Sequence, residues 1–74
     1  RELALTTGEF DLLWALGSRA GQPVDRDTLY EELRGIRYDG LDRSVDVLVA
    51  RLRRKLPGWV LTVRSVGYQL TRPG

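Results

Sequence analysis

The 74-residue chain has no cysteine and no histidine, and its first residue is Arg1 rather than methionine. The first absence excludes disulfides, and the two together exclude the thiolate and imidazole sites that most often hold zinc. They also remove the side chains most used as nucleophile and general base near neutral pH. The carboxylates fall mostly where helices should begin, so no acid–base pair stands out. Neither an enzyme, nor a cofactor, nor a metal site is expected. No apolar run approaches the roughly 20 residues that cross a bilayer, and no signal-peptide pattern opens the chain, which fits a soluble cytoplasmic protein. One domain is expected over residues 1–74, near the lower size limit for a core without staples, and the start on Arg1 is expected of a piece of a longer chain.

What is present is a basic helix. In the stretch DRSVDVLVARLRRKL from Asp42 to Leu56, Val45, Leu48, Val49, Leu52 and Leu56 recur at i, i+3, i+4, i+7 and i+11, the spacing of one apolar helix face. At about 100° per residue the opposite side carries Arg43, Val47, Ala50 and Arg54, with Arg51 on one shoulder and Arg53 on the other. Between Arg43 and Lys55, five basic residues and one acidic residue give +4, while the whole chain is +2, so the remainder sums to −2. Basic outer faces are common on solvated helices. Charge segregated this far is instead the footprint of a nucleic-acid binder: short side chains let the rod approach bases, and arginines reach phosphates or guanine edges.

The rest of the chain reads as scaffold. Arg1–Leu5 alternates polar and apolar residues and is expected as a short strand. Thr6 and Glu9 form a capping box, with Leu5 and Phe10 as a hydrophobic staple, opening a helix over 7–20. Its apolar stripe is Phe10, Leu13 and Trp14, widened by Leu12 and Leu16, with Phe10 and Trp14 expected in the core. Gly21 should end it, and Gln22-Pro23-Val24 should be an extended connection. Asp25 caps a second helix, with Val24 against Leu29 as staple, Leu29, Leu33 and Ile36 on one face, and Gly35 as the stop. Ile36–Leu41 reads as a structured loop. After the Pro57-Gly58 breaker, Trp59–Arg64 and Tyr68–Thr71, joined through Ser65-Val66-Gly67, form a hairpin with Arg64 near its tip, and Arg72–Gly74 is a frayed end. Two helices joined by a compact loop, the second of them basic, make a helix-turn-helix arrangement.

Four segments, LTTGEFDLLWAL, GQPVDRDTLYEEL, RGIRYDGLDRSVDVLVARLRRKL and TVRSVGYQL, resemble the winged-helix effector domain of the OmpR/PhoB class of bacterial two-component response regulators. The wording YDGLDRSVDV is most similar to the RstA branch of that class. The resemblance implies a mainly α fold with a small β-hairpin, three helices plus a C-terminal wing, and sequence-specific duplex DNA binding for transcription regulation. The third helix would enter the major groove and the wing the neighbouring minor groove. Carried over by position, Arg43 matches a phosphate-contacting arginine and Arg51 a residue facing base edges. Ser44 and Asp46 lie near bases or backbone, and Arg53 and Arg54 near phosphates. Thr62 touches phosphate, and Arg64 is the wing arginine of the minor groove. Val47 and Ala50 complete the groove-facing surface. The loop with Arg37, Tyr38 and Asp39 is similar to the segment that meets RNA polymerase, and the class binds tandem repeats head to tail as a homodimer.

Each assignment has a plainer reading beside it. Asp46 is equally a local ion-pair partner of Arg43, and Arg53 is equally a snorkelling edge residue. Trp59 is favoured as packing, and Tyr38 is either a lid on the core or part of a protein contact. The alternative for the whole chain is a protein-binding module without base preference, acting through the Gly35–Leu41 loop or the outer face of the first helix. Three departures from the family stand out. Only Pro57–Leu61 separate KL from TVR, and Ser65 replaces the usual glycine. The four-stranded sheet that normally precedes the first helix is missing beyond Arg1–Leu5. That loss should expose apolar surface on the helix, as in a truncated, partnered or deliberately minimal domain.

Overall fold

Helix α1 (Thr7–Gly17) starts at a closed capping box: Glu9 N–H donates to Thr6 Oγ1 at 3.2 Å, and Glu9 Oε1 accepts from the Thr6 N–H at 3.0 Å. The computed structural model describes residues 4–35 and 39–72. Of the strand expected over Arg1–Leu5, residues 1–3 lie outside the described residues, and Ala4 and Leu5 are not in a strand. The helix stops short of Ala20 because the Ser18 hydroxyl turns back to the carbonyls of Trp14 (2.9 Å) and Ala15 (3.2 Å), and tighter turns follow. Gly21 sits beyond them at φ 83°, its N–H on the Leu70 carbonyl at 3.3 Å.

The face α1 buries is Glu9, Leu12, Ala15 and Leu16. Phe10 and Trp14, expected in the core, are 53% and 69% exposed and stack on each other at 6.5 Å. The apolar residues of this helix run nearly all round it, so periodicity alone does not choose a face. Docking chooses it: α3 and α2 pack on the Leu12 side, and Phe10 and Trp14 lie about 160° from it. Of the residues expected as a staple, Leu5 packs on the core and Phe10 lies largely in solvent. The expected exposure of apolar surface on α1 is met by these aromatic rings and by Leu13, half-buried beside them.

Strand β1 (Val24–Asp25) is the extended connection, and it does more than connect, pairing antiparallel with β3. Helix α2 (Arg26–Arg34) follows, capped by Asp25 Oδ1 on the Thr28 N–H at 2.7 Å and closed by Gly35 in the left-handed conformation. Val24 and Leu29 are both buried, as the staple requires, whereas Ile36 lies outside the described residues. Helix α3 (Ser44–Lys55) is followed by β2 (Val60–Val63) and β3 (Gly67–Leu70), and the sheet order is β1-β3-β2. The core joins Leu12 and Leu16 of α1, Leu29 and Tyr30 of α2, and Val45, Val49 and Leu52 of α3 to Val24, Val60 and Tyr68 of the sheet. Burying each Leu or Val contributes about 1.5–3 kcal/mol, which makes this contact set the main stabilising term. Of the face expected for α3, Leu48 and Leu56 are half-buried and pack on its margin. Among the described residues, no helix is long and apolar enough to cross a membrane.

One buried charge crosses the core's edge. Glu9 is 2% exposed, and its Oε1 accepts from Lys55 Nζ at 2.6 Å, while Lys55 also donates to the Ala4 carbonyl at 2.7 Å. The Lys55 bond, then the Thr6 N–H, hold the Glu9 carboxyl below its ordinary 4.5. Backbone N–H groups do the same for Asp25 and Asp39, and the Ser44 hydroxyl and N–H for Asp42, all below 3.8. A depressed folded-state pKa contributes stability above the unfolded value and loses it as pH falls through the folded one. With no histidine to titrate, the melting temperature should be level from about pH 5 to 8 and fall steeply below about pH 4. Glu9→Gln should flatten that acid limb in circular-dichroism melts. A limb equally steep in the variant would show that Glu9 contributes nothing to it.

Candidate nucleic-acid interface

The basic helix is set in place by Tyr30, which is fully buried in α2. Its hydroxyl donates to the Asp42 carbonyl at 2.5 Å and accepts from the Val45 N–H at 3.3 Å, so α2 supplies a partner for an N-terminal N–H of α3. Asp42 Oδ1 then accepts from the Ser44 N–H (2.7 Å) and hydroxyl (2.6 Å). The helix consequently begins at Ser44, with Arg43 at the N-cap making no side-chain cap bond. Asp39 holds the incoming loop by accepting from the N–H groups of Leu41 (2.7 Å) and Asp42 (3.1 Å). Arg37 and Tyr38, assigned with Asp39 to a polymerase contact, lie outside the described residues.

Among the described residues, none covers the outer face of α3. Arg43, Val47, Ala50, Arg51 and Arg54 are all exposed, and Arg51, Arg54 and the wing's Arg64 make no ion pair or hydrogen bond to the described residues. One shoulder, with Ser44 and Arg51, borders a cleft of about 380 Å³ shared with Gly8, Asp11, Leu33 and Arg34. The other shoulder meets the wing. There Arg53 Nε donates to the Val60 carbonyl at 3.2 Å and Nη2 to Thr62 Oγ1, and the guanidinium lies 5.8 Å from the Tyr68 ring centre. Arg53 thus combines the snorkelling reading with a tie to β2, while Lys55 faces inward to Glu9. Of the five cations counted on this helix, Arg43, Arg51 and Arg54 are the ones left toward solvent.

Asp46 is likewise occupied within the protein. Its Oδ2 lies 3.5 Å from Arg43 Nε, as the ion-pair reading expects, and its Oδ1 is 3.5 Å from Arg26 Nε and accepts the Tyr68 hydroxyl. The phenol sits mostly out of water beside this carboxylate, and both influences push its pKa above 10.0. Sequence reasoning missed Tyr30, Arg26 and Tyr68. Alternation along β3 signalled only that Tyr68 points inward, and nothing local marks Arg26 as a partner for a residue in α3.

The wing is the hairpin β2–β3, with Thr62 opposite Tyr68 and Val63 opposite Gly67. Arg64 is exposed in its turn, which closes with Val66 N–H on the Val63 carbonyl at 3.0 Å. Ser65 takes φ 65°, the left-handed region that favours glycine. That conformation costs an L-residue about 1–2 kcal/mol, partly offset because glycine loses more chain entropy on folding. Ser65→Gly should therefore raise the melting temperature by a few degrees, about 0.5–1 kcal/mol, without altering the helices by circular dichroism. A lower melting temperature would mean the serine is not strained.

Residues 1–70 match the family described as "Transcriptional regulatory protein, C terminal". The transcriptional regulatory protein RstA of Escherichia coli K12 is 53% identical over 73 residues, covering 90% of this chain and 30% of its own length. The crystal structure of the Klebsiella pneumoniae RstA DNA-binding domain in complex with its RstA box superposes with a TM-score of 0.87 at 51% identity, covering 93% of this chain and 74% of that one. The DNA-binding domain of CpxR from E. coli follows at 0.86 and 37%, covering 97% and 76%. The chain therefore spans about a third of the curated relative and most of an isolated winged-helix domain, with three helices and a small antiparallel sheet like theirs.

Proposed function

The chain belongs to the family of transcriptional regulatory protein C-terminal domains, the OmpR/PhoB class of effector domains on its RstA side, and from that premise we propose that it binds duplex DNA sequence-specifically to regulate transcription. The observation that carries this reading is the division of α3: Val45, Val49 and Leu52 are buried, while Arg43, Val47, Ala50, Arg51 and Arg54 face outward with nothing of the described chain over them. A helix of this width fits a major groove, and an arginine on a narrow ribbon suits the negative potential of an A·T-rich minor groove. In this reading Arg51 faces base edges, Arg43 and Arg54 meet phosphates, Thr62 meets phosphate from β2, and Arg64 enters the minor groove. Ser44 and Arg53 serve mainly to set the helix start and the wing.

The finer parts of the reading extend the resemblance. The loop with Arg37, Tyr38 and Asp39 contacts RNA polymerase, two copies bind head to tail on direct repeats, and the protein acts in the bacterial cytoplasm. A second reading, a protein-binding module, has the exposed Phe10 and Trp14 of α1 in its favour. Selection from a random duplex library at several salt concentrations separates the two. Neutralising about four phosphates should weaken binding roughly a hundredfold between about 50 and 200 mM salt, and the enriched duplexes should share a motif. Binding that neither enriches a motif nor responds to salt would overturn the DNA reading.

A further inference from the structure

Asp46 and Tyr68 hold positions that neither the buried stripe nor the open face of α3 explains. Asp46 stands in the first turn of α3 with its side chain 16% exposed, and Tyr68 stands in the middle strand, 6% exposed. Their hydroxyl–carboxylate bond joins α3 to the wing. Tyr68 pairs across the sheet with Thr62 of β2 and Val24 of β1. Arg26, at the start of α2, lies 5.0 Å from the Tyr68 ring centre, donates to its hydroxyl at 3.4 Å and sits 3.5 Å from Asp46. Arg43, whose side chain is 77% exposed, is held from the far side of the same carboxylate at 3.5 Å. One phenol and one carboxylate therefore connect α2, α3 and the whole sheet, and they orient the outermost arginine of the helix start.

An anion beside a polyanionic duplex is repelled unless neutralised, and here two guanidiniums neutralise it. Its oxygens are also already taken, which leaves little with which to read a base. A wing and a helix fixed in register before binding lose little further freedom when both enter their grooves. We propose that Asp46 and Tyr68 are positioning residues for duplex binding: their bond fixes the wing against α3, and Asp46 aims Arg43, without Asp46 itself touching DNA. The inference rests on the DNA reading above.

The test compares the chain with Asp46→Asn, Tyr68→Phe and the pair together, each with and without Arg64→Ala, on the duplex that the unmodified chain enriches from a random library. Tyr68→Phe keeps the buried ring and removes only the hydroxyl. Asp46→Asn, at the half-buried end of the bond, keeps shape and removes charge, so it still carries the comparison should the tyrosine variant melt too low. Circular-dichroism melts are read in parallel. Each single change should weaken binding about tenfold with base preference unchanged, and the double variant should be no weaker than the worse single one, because both break the same bond. With Arg64 already removed, the Tyr68→Phe loss should shrink to under about twofold, a dependence that a purely structural role would not show. Unchanged affinity in Tyr68→Phe, losses that multiply, or losses indifferent to Arg64 would overturn the proposal. So would an Asp46→Asn shift in preference at one base pair, which marks direct contact with a cytosine amino group. If the unmodified chain enriches nothing, the DNA reading itself fails, and this inference fails with it.

Discussion

Gly67→Ala is expected to be a strongly destabilising substitution, costing about 3 kcal/mol or more. A Cβ at this position would lie 2.1 Å from the Val24 carbonyl oxygen and 3.0 Å from Asp25 Cα, both backbone atoms of the neighbouring strand. A flexible side chain can swing out of the way, but β1 cannot. It is fixed on one side by its pairing with β3 and on the other by Asp25, which caps α2. Pushing β1 outward would break the Val24–Tyr68 and Asp25–Gly67 pairs, draw Val24 from the core and disturb the cap together. Overpacking typically costs 1–3 kcal/mol where side chains can adjust, and a rigid backbone neighbour places the cost at the top of that range or above it, about 3 kcal/mol or more. A 74-residue domain holds only about 4–11 kcal/mol in all. The melting temperature read by circular dichroism should fall by at least about 12 °C. A fall of only a few degrees would show that β1 yields at little cost.

Gly67 also shows where sequence and structure part. Next to Ser65-Val66 it reads as a turn residue, and the turn is there, but the glycine is needed for an approach between strands more than 40 positions apart, which no local pattern encodes. Features specified by neighbours were legible: the Thr6–Glu9 box, the Asp25 cap, the Gly35 stop and the buried face of α3. Ser65 at positive φ could be anticipated as well, because the resemblance placed a glycine there. What periodicity left undecided was α1, apolar nearly all round, where α3 rather than the pattern selected the Leu12 face and left Phe10 and Trp14 outside. The candidate site divides in the same way. Exposure of Arg43, Arg51 and Arg54 follows from helical spacing, whereas the inward turn of Lys55 to Glu9, the tie of Arg53 to β2 and the Asp46–Tyr68 bond depend on partners 7 to 46 residues away.

Arg51→Ala and Arg43→Ala are expected to weaken DNA binding in different ways, although both delete one exposed arginine from the same helix. A bidentate arginine–guanine contact discriminates by about 1–3 kcal/mol, so Arg51→Ala should cost roughly 5- to 150-fold on the preferred duplex and little on unrelated sequence. The enriched motif should become degenerate at one position. Arg43 lies at the N-cap with its side chain 77% exposed, where a guanidinium meets backbone rather than base edges. Its loss should weaken every sequence alike and lower the salt dependence of log K by about one. Arg54→Ala should resemble Arg43→Ala, because it lies on the same open face without a partner among the described residues. Exchanged phenotypes, with Arg43 setting the motif and Arg51 only the salt slope, would mean that α3 enters the groove rotated by about the 80° separating the two positions. Equal losses on all sequences for all three would reduce the helix to an electrostatic patch. A helix whose inner stripe is locked into α1 and the sheet cannot rotate freely, so its buried side determines which arginine reaches a base.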